Sequence, residues 1–525
     1  MSDTQSQRAD DGRPPVLTAG RRRVVLGVVA LALMMVVSAV SGLNVALPDL
    51  QRDTGASATE IQWIVDAYTL VFAGLLLIGG AVGDRIGRRP VLLFGIVVFG
   101  AAAACGLFVD QPQTLIAIRA CMGVGAAAVM PATLSIITSS FPPEERARAV
   151  GVWVGVAGGG AVVGLFGSGI LLEFFDWSSF FGLNVALAVL ALAGTLKVIP
   201  DSRDQQPPAL DPVGGALSLV LVAGLVFGFI EGPERGWSDV LTVSAFVVGV
   251  LAALAFVLWE LRREQPLLDP RLFKLRGFST GTLSMAAQFF ASFGFFYIIL
   301  QYLQYVADLS PLQSALALLP LPAVLIPLAR QAPNLALRFG ANRIAAAGLL
   351  LSAAGMLLMN LLDVDFTYWH LAVALVVFAA GMALASTPAT MAITSSLPAG
   401  KQGVGSAVND VSREFGSALG IAILGSVLNG AYSSNMADAV TQLPAKAAAA
   451  AQSSLAAVQQ AAPQLGDRGE ALLAAGKQSF VDATGSAFLV AAAVLFCCAV
   501  VVFLRAPDAH ELRETQHQGE KTPAP

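Results

Sequence analysis

Long apolar runs separated by short polar breaks dominate the chain. The first begins after Arg21, Arg22 and Arg23 and continues to about Pro48. Others follow at about 61–82, 91–109, 114–137, 149–172 and 179–199. A polar, proline-rich break over 200–212 precedes two more, at about 213–231 and 240–259. A last group occupies about 279–305, 312–334, 344–362, 370–393, 404–429 and 485–505. These runs approach or exceed the roughly 20 residues an α-helix needs to cross a hydrocarbon core of about 30 Å. The pattern predicts an all-α integral membrane protein of fourteen transmembrane helices, arranged as two six-helix bundles with two extra helices between them.

The expected organisation is a tail over 1–23, a first bundle over 24–199 and the linker, extra pair and basic loop over 200–277. A second bundle over 278–505 and a tail over 506–525 follow. Within the second bundle, 430–484 is alanine-rich and amphipathic; its periodicity suggests a helical hairpin, with disorder as the alternative. The first run is longer than a signal-peptide core and lacks a small-residue cleavage site, so it is expected to be retained.

Composition agrees. The chain is 56% hydrophobic and 13% charged, with a mean hydropathy of +0.72, where soluble domains carry about 25% charged residues. A net charge of -4 without a large basic cluster gives no reason to expect nucleic acid as a partner. Cys105, Cys121, Cys497 and Cys498 lie in apolar runs without ligand spacing and read as small core hydrophobes. About 25 of the 31 Lys and Arg fall on one side of the fourteen-helix arrangement, which makes that side and both termini cytoplasmic.

The sharpest local feature is the end of the second run. Gly83-Asp84-Arg85-Ile86-Gly87-Arg88-Arg89-Pro90 joins two apolar runs. Both Gly83 and Gly87 are expected to permit a tight reversal there, and the charges hold it at the membrane surface. The octapeptide closely resembles motif A of the major facilitator superfamily. The preceding WIVDAYTLVFAGLLL resembles span 2 of its fourteen-span drug:proton antiporter branch. Further resemblances are RACMGVGAAAVMPA around Arg119 (motif B), the basic junction before span 9, and 403–427 (span 13). Span 5 carries Gly151, Gly155, Gly159, Gly160 and Gly164 and resembles motif C, although Gly164-Leu165 stands where Gly-Pro is common. These glycines equally suit ordinary close helix packing. Arg338 and Gly340 repeat Arg85 and Gly87, with Leu337 in place of Asp84, as expected of two parallel repeats.

The resemblance implies a proton-coupled exporter of drug-like compounds or antibiotics, working by alternating access in the cell membrane. It would be driven by the proton motive force without a cofactor, with lipid, small molecules and protons as partners, and as a monomer. A metabolite uptake symporter or a single-substrate natural-product exporter would use the same fold. An enzyme is not expected: the chain has no HExxH, no serine–histidine constellation and three histidines.

Few polar groups fall inside the spans. Asp66, roughly 9 Å below the end of span 2, is the leading proton site if it lies near Arg119. A permanent Asp66–Arg119 ion pair or a capped kink is the structural alternative. Asp410 with Glu414 forms the second candidate pair, suited to gating as well as proton carriage. Glu231, ending span 7, is expected to be solvated. Many relatives carry an aspartate in span 1, where this chain has Ala39. Asp84 is expected to face the positive end of span 13, and Arg85, Arg88 and Arg89 to reach Glu144 or Glu145, as a weak latch.

Overall fold

The computed structural model describes residues 18–201, 211–264, 266–397, 402–441, 443–464 and 467–505. Among them there is no strand. The first helices are α1 (Ala19–Thr54), α2 (Ala58–Ile86), α3 (Arg88–Gly106), α4 (Pro112–Ser140), α5 (Pro143–Leu172) and α6 (Ser179–Val198). Then come α7 (Pro212–Arg235) and α8 (Val240–Glu260). The remainder are α9 (Arg276–Tyr305), α10 (Pro311–Ala317), α11 (Pro320–Phe339), α12 (Ala341–Leu358), α13 (Tyr368–Ser395), α14 (Gln402–Met436), α15 (Ala445–Ser453), α16 (Leu455–Ala461) and α17 (Asp467–Arg505). Twelve described segments are long and apolar enough to cross a membrane, α10 and α11 counting together as one.

Local sequence sets the helix starts. Ser57 and Glu60 form a reciprocal capping box at α2, and Ser310 with Gln313 forms another at α10. Proline opens α4, α5 and α7, where its missing N–H would have had no helical partner. Asp211 caps α7 by accepting from Gly214 N at 2.9 Å.

In the first bundle α1 packs against α5 and α6, α2 against α4, and α3 against α4 and α6. In the second, α9 packs against α13, α14 and α17, and α12 against α13 and α17. The tightest crossings are backbone to backbone. A Cβ on Gly79 would lie 2.1 Å from the Ala127 carbonyl oxygen, and one on Gly416 2.3 Å from that of Ala286. Small residues of this kind let membrane helices approach where no hydrophobic drive exists between them.

Motif A differs from its expected shape. α2 runs through Gly83, Asp84 and Arg85 to Ile86, so Gly83 is helical and the reversal is made at Gly87 alone, with φ 129°. The equivalent Gly340, between α11 and α12, has φ 95°. Two matching helix–glycine–helix corners, one per bundle, fit the internal repeat read from the sequence. The basic end of the molecule that holds Gly87 and Gly340 is called the Gly87 end below, and the opposite one the Gly55 end.

Two other expectations change. The 430–484 stretch is shorter as a loop than its composition suggested, because α14 continues to Met436 and α17 begins at Asp467; the short helices α15 and α16 lie between them. Cys105, Cys121 and Cys497 are exposed on the apolar outside, and only Cys498 is buried.

The extra pair is not peripheral to the bundles. α7 packs on α2 and also on α14, with Leu70, Val222, Val226, Ile230, Ala418 and Ala422 forming a shared apolar cluster. It thereby covers one of the two seams between the bundles.

Candidate functional site

Asp66 and Arg119 are both fully buried, as deep polar groups on α2 and α4. They do not pair. One Asp66 oxygen accepts from Thr69 Oγ1 at 3.1 Å, while the other has no partner among the described residues. Arg119 instead donates to two backbone carbonyls, from Nε to Ile64 at 3.0 Å and from Nη1 to Ala39 at 3.2 Å. Its guanidinium also lies 4.4 Å from the centroid of the Tyr68 ring. The ion-pair alternative fails, and Arg119 is not the partner that the proton-site reading looked for, because Arg119 points at the α1–α2 crossing. Ala39 contributes its main chain there, a role invisible in its side chain. Asp66 is thus a buried carboxyl group with no cation at ion-pairing distance among the described residues, an expensive arrangement inside a membrane.

Tyr68 links this region to α1 by donating to the Val36 carbonyl at 3.0 Å. On α14, Arg413 Nη1 stands 3.9 Å from Asp410 and its guanidinium lies 4.5 Å from the Phe289 ring centroid of α9. Glu414 is buried one position beyond. The structure therefore brings Asp410, Arg413 and Glu414 together as one cluster. Arg413 is the cluster's cation. Asn409 accepts from Thr390 of α13 at 3.2 Å.

Hydrogen bonds across the two bundles gather at the Gly55 end. Gln62 Nε2 of α2 donates to the Ile421 and Ala422 carbonyls of α14 at 3.0 and 2.8 Å, and its oxygen accepts from Asn429 at 3.2 Å. Gln304 of α9 donates to Val45 of α1 at 2.9 Å, and Tyr305 OH bonds Gln51 at 2.7 Å. Ser310 donates to Glu173. These glutamines and tyrosines were missed in the sequence because uncharged polar residues in apolar runs carry little signal; capping-box position was the only cue near Gln62.

At the Gly87 end two described groups of the expected latch make other contacts. Glu145 pairs with Arg22 of α1 at 2.9 Å, and Arg89 donates to the Leu196 carbonyl in the last turn of α6 at 2.9 Å. Arg85 is exposed and Arg88 half-buried. Both named contacts lie within the first bundle. The side chains of Asp84 and Glu144 lie outside the described part, as do the surroundings of Gly151, Gly155 and Gly159. Gly160 and Gly164 do pack closely. A Cβ on Gly164 would stand 2.3 Å from Ser41 Oγ and 2.6 Å from the Ser38 carbonyl oxygen of α1. Glu231 is a further correction: it is buried, accepting from Trp63 Nε1 at 2.7 Å and pairing with Arg235. The α7–α2 contact shields it from water.

A sequence model described as the Major Facilitator Superfamily matches residues 29–421. The chain belongs to the major facilitator superfamily. Among similar members, the puromycin resistance protein pur8 of Streptomyces alboniger is 37% identical, over 80% of this chain and 84% of that one. The multidrug efflux pump LfrA of Mycolicibacterium smegmatis is 32% identical, over 92% of this chain and 96% of its own. The tetracenomycin C resistance and export protein of Streptomyces glaucescens is 30% identical, over 94% and 93%. Among solved structures, a bacterial homolog of the human lysosomal transporter Spinster superposes with a TM-score of 0.64 at 18% identity, covering 94% of this chain and all of that one. That likeness establishes the superfamily fold. The protein is accordingly a multi-pass membrane protein of a transporter family.

Proposed function

We propose that this chain is a proton-coupled exporter of drug-like or antibiotic small molecules, working by alternating access between the two bundles. The observation that carries the proposal is Asp66. It is a buried carboxyl group on a membrane helix, without a compensating cation among the described residues, one turn from the Gln62 contacts that join the bundles. The names of the similar proteins, a puromycin resistance protein, a multidrug efflux pump and a tetracenomycin C resistance and export protein, support the substrate class and direction. With α2 and α5 counted beside the twelve other segments, the chain crosses the membrane fourteen times. The Gly87 end holds Arg21, Arg22, Arg23, Arg85, Arg88 and Arg89, so this end and both termini are cytoplasmic by the positive-inside rule. The bundles are then joined at the outside and the site is served from the inside. The proton motive force supplies the energy, no cofactor takes part, and the monomer is the working unit.

In one cycle the Gln62 and Gln304 contacts break and the Asp66 region meets the outer aqueous phase. A proton taken up by Asp66 there is released inside after the bundles rock back. One charge moved across 100 mV supplies about 2.3 kcal/mol, and one pH unit about 1.36 kcal/mol. Together they sustain a gradient of a few hundredfold for a neutral substrate exchanged for one proton.

The test is ethidium and puromycin movement in inside-out vesicles under an imposed pH gradient. Uptake marks export, and release marks the symporter alternative. Asp66→Asn is expected to abolish gradient-driven accumulation while sparing passive exchange. An Asn variant that still builds a gradient would make Asp66 structural and move the proton to Asp410 or Glu414.

A further inference from the structure

A cavity of about 450 Å³ lies at the Gly55 end of the second bundle, where Tyr302 of α9, the chain just after α12 and residues 478–489 of α17 come together. Among the described residues none of the first bundle lines it, so it is separate from the Asp66 and Gln62 regions. Its depth follows from α17. The stretch from Gly485 to Leu504 carries no charge, and its length is about 30 Å, the thickness of a hydrocarbon core. Asp482 is the first charge beyond that stretch. Tyr368 and Trp369, exposed at the start of α13 a few residues after Asp363, are amphipathic aromatics of the kind that favour the membrane–water boundary. The cavity therefore stands where hydrocarbon gives way to headgroups.

The charges in its walls are all negative. Tyr302 donates its hydroxyl to the Asp363 carbonyl at 2.7 Å, and the Val364 N–H donates to Asp363 Oδ1 at 2.7 Å; the turn is fixed and Oδ2 is left open. Asp482 stands on α17, where Gln478 Nε2 donates to its Oδ1 at 3.0 Å. Asn360 donates to the Leu357 carbonyl at 3.2 Å, and its oxygen rests against α17 because residue 485 is glycine: a Cβ there would lie 2.7 Å from Asn360 Oδ1. Among the described residues no cation pairs with Asp363 or Asp482. Lys477, next to Gln478, is turned to Asp308 and the Val306 carbonyl. Thr484 lines the same cavity, is 2% exposed, and its hydroxyl has no partner among the described residues. The apolar wall includes Val481 and Leu489. Leu489 is exposed one turn inside the uncharged stretch, so this wall continues onto the lipid-facing surface.

We propose that this cavity is a binding site for an ammonium group carried on an apolar chain. Asp363 and Asp482 hold the charge from two walls, and the chain runs along Val481 and Leu489 toward the hydrocarbon. A primary ammonium brings three donors and no acceptor, which suits two carboxylates and the Asn360 oxygen. Hydrogen bonds between ionised partners are the stronger class. The same pair of acids repels anions. Two sources share this chemistry: the headgroup of an amine-bearing lipid such as phosphatidylethanolamine, and a free alkylamine. The site lies outside the Asp66 route, so its occupancy is independent of the transport reading above.

Equilibrium dialysis of radiolabelled octylamine, a cation at neutral pH, against the full-length protein in dodecyl maltoside tests it. Saturable binding is expected, weakened roughly tenfold or more by Asp363→Asn or Asp482→Asn. Asp365→Asn removes an exposed acid of the same connection that does not line the cavity, and it is expected to bind as the parent does. Absence of saturable binding to the parent, or an equal loss in Asp365→Asn, would overturn the proposal. A measurement on the parent alone is independent of how the variants fold: octanesulfonate, with the same chain length and the opposite charge, is expected not to displace octylamine, and displacement would also overturn it. Native mass spectrometry with phosphatidylethanolamine and phosphatidylglycerol separates the two sources. Phosphatidylethanolamine retained over phosphatidylglycerol by the parent, and lost in Asp482→Asn, assigns the site to a lipid headgroup; saturable octylamine binding without that retention assigns it to a free amine.

Discussion

Gln62→Ala is expected to loosen the joint between the bundles at the Gly55 end. The side chain makes three hydrogen bonds to α14: two donated to the Ile421 and Ala422 carbonyls and one accepted from Asn429. Each is worth about 0.5–1.5 kcal/mol net of solvent. The two donated by one amide nitrogen share a donor, so about 2 kcal/mol is a fair sum. That corresponds to roughly thirtyfold in an equilibrium constant. A joint closed about 99% of the time would become closed about three-quarters of the time. Gly425 adds to the effect: its backbone approaches the Gln62 amide so closely that a Cβ would lie 2.8 Å from Nε2. The truncated side chain therefore leaves a gap that no neighbour fills. Spin labels at the exposed residues Asp110, in the first bundle, and Asp365, in the second, report the separation by double electron–electron resonance. Gln62→Ala should add a longer-distance population that the parent shows only in traces. Identical distance distributions would refute the idea that Gln62 holds the joint.

Three further outcomes follow from the packing. Gly87→Ala should lose about 1–3 kcal/mol, because its φ of 129° is open to glycine alone. Gly83→Ala should be nearly neutral, since a Cβ there meets nothing closer than Val91 at 3.9 Å; equal thermal stability of the two variants in detergent would contradict this contrast. Gly164→Leu should overpack against Ser38 and Ser41 by at least about 1–3 kcal/mol and reduce yield and transport, whereas parental levels of both would show the α1–α5 contact to be slack. Burial pushes the Asp211 carboxyl up, but the Gly214 N–H, the Trp259 N–H and Arg263 outweigh it and hold it below the usual carboxylate range. A depressed folded value means this contribution is complete at neutral pH and is lost as pH falls through the folded value. Melting temperature should therefore decline in acid, and Asp211→Asn should lower it at neutral pH and flatten that decline; an unaltered acid profile would count against the Asp211 anchor.

Much of the architecture is a one-dimensional property and was legible as such. Whether a segment can cross a bilayer depends on its own length and apolarity, so the spans, the break at 200–212 and the two halves could be read without neighbours. The same holds for corners that one residue type makes: Gly87 and Gly340 were visible because few other residues can adopt their backbone. Caps such as Ser57 with Glu60 are equally local. The partners of the buried charges were not legible, because a partner is chosen by whichever helix passes at the right depth. Arg119 and Asp66 sit at similar depth, yet Arg119 spends its donors on the carbonyls of Ile64 and Ala39, and carbonyls are present at every residue alike. Glu231 looked solvated until α7 was seen to lean on Trp63. A sequence pattern ranks residues by their cost in lipid; which of those costs are offset, and by what, is decided when the helices pack.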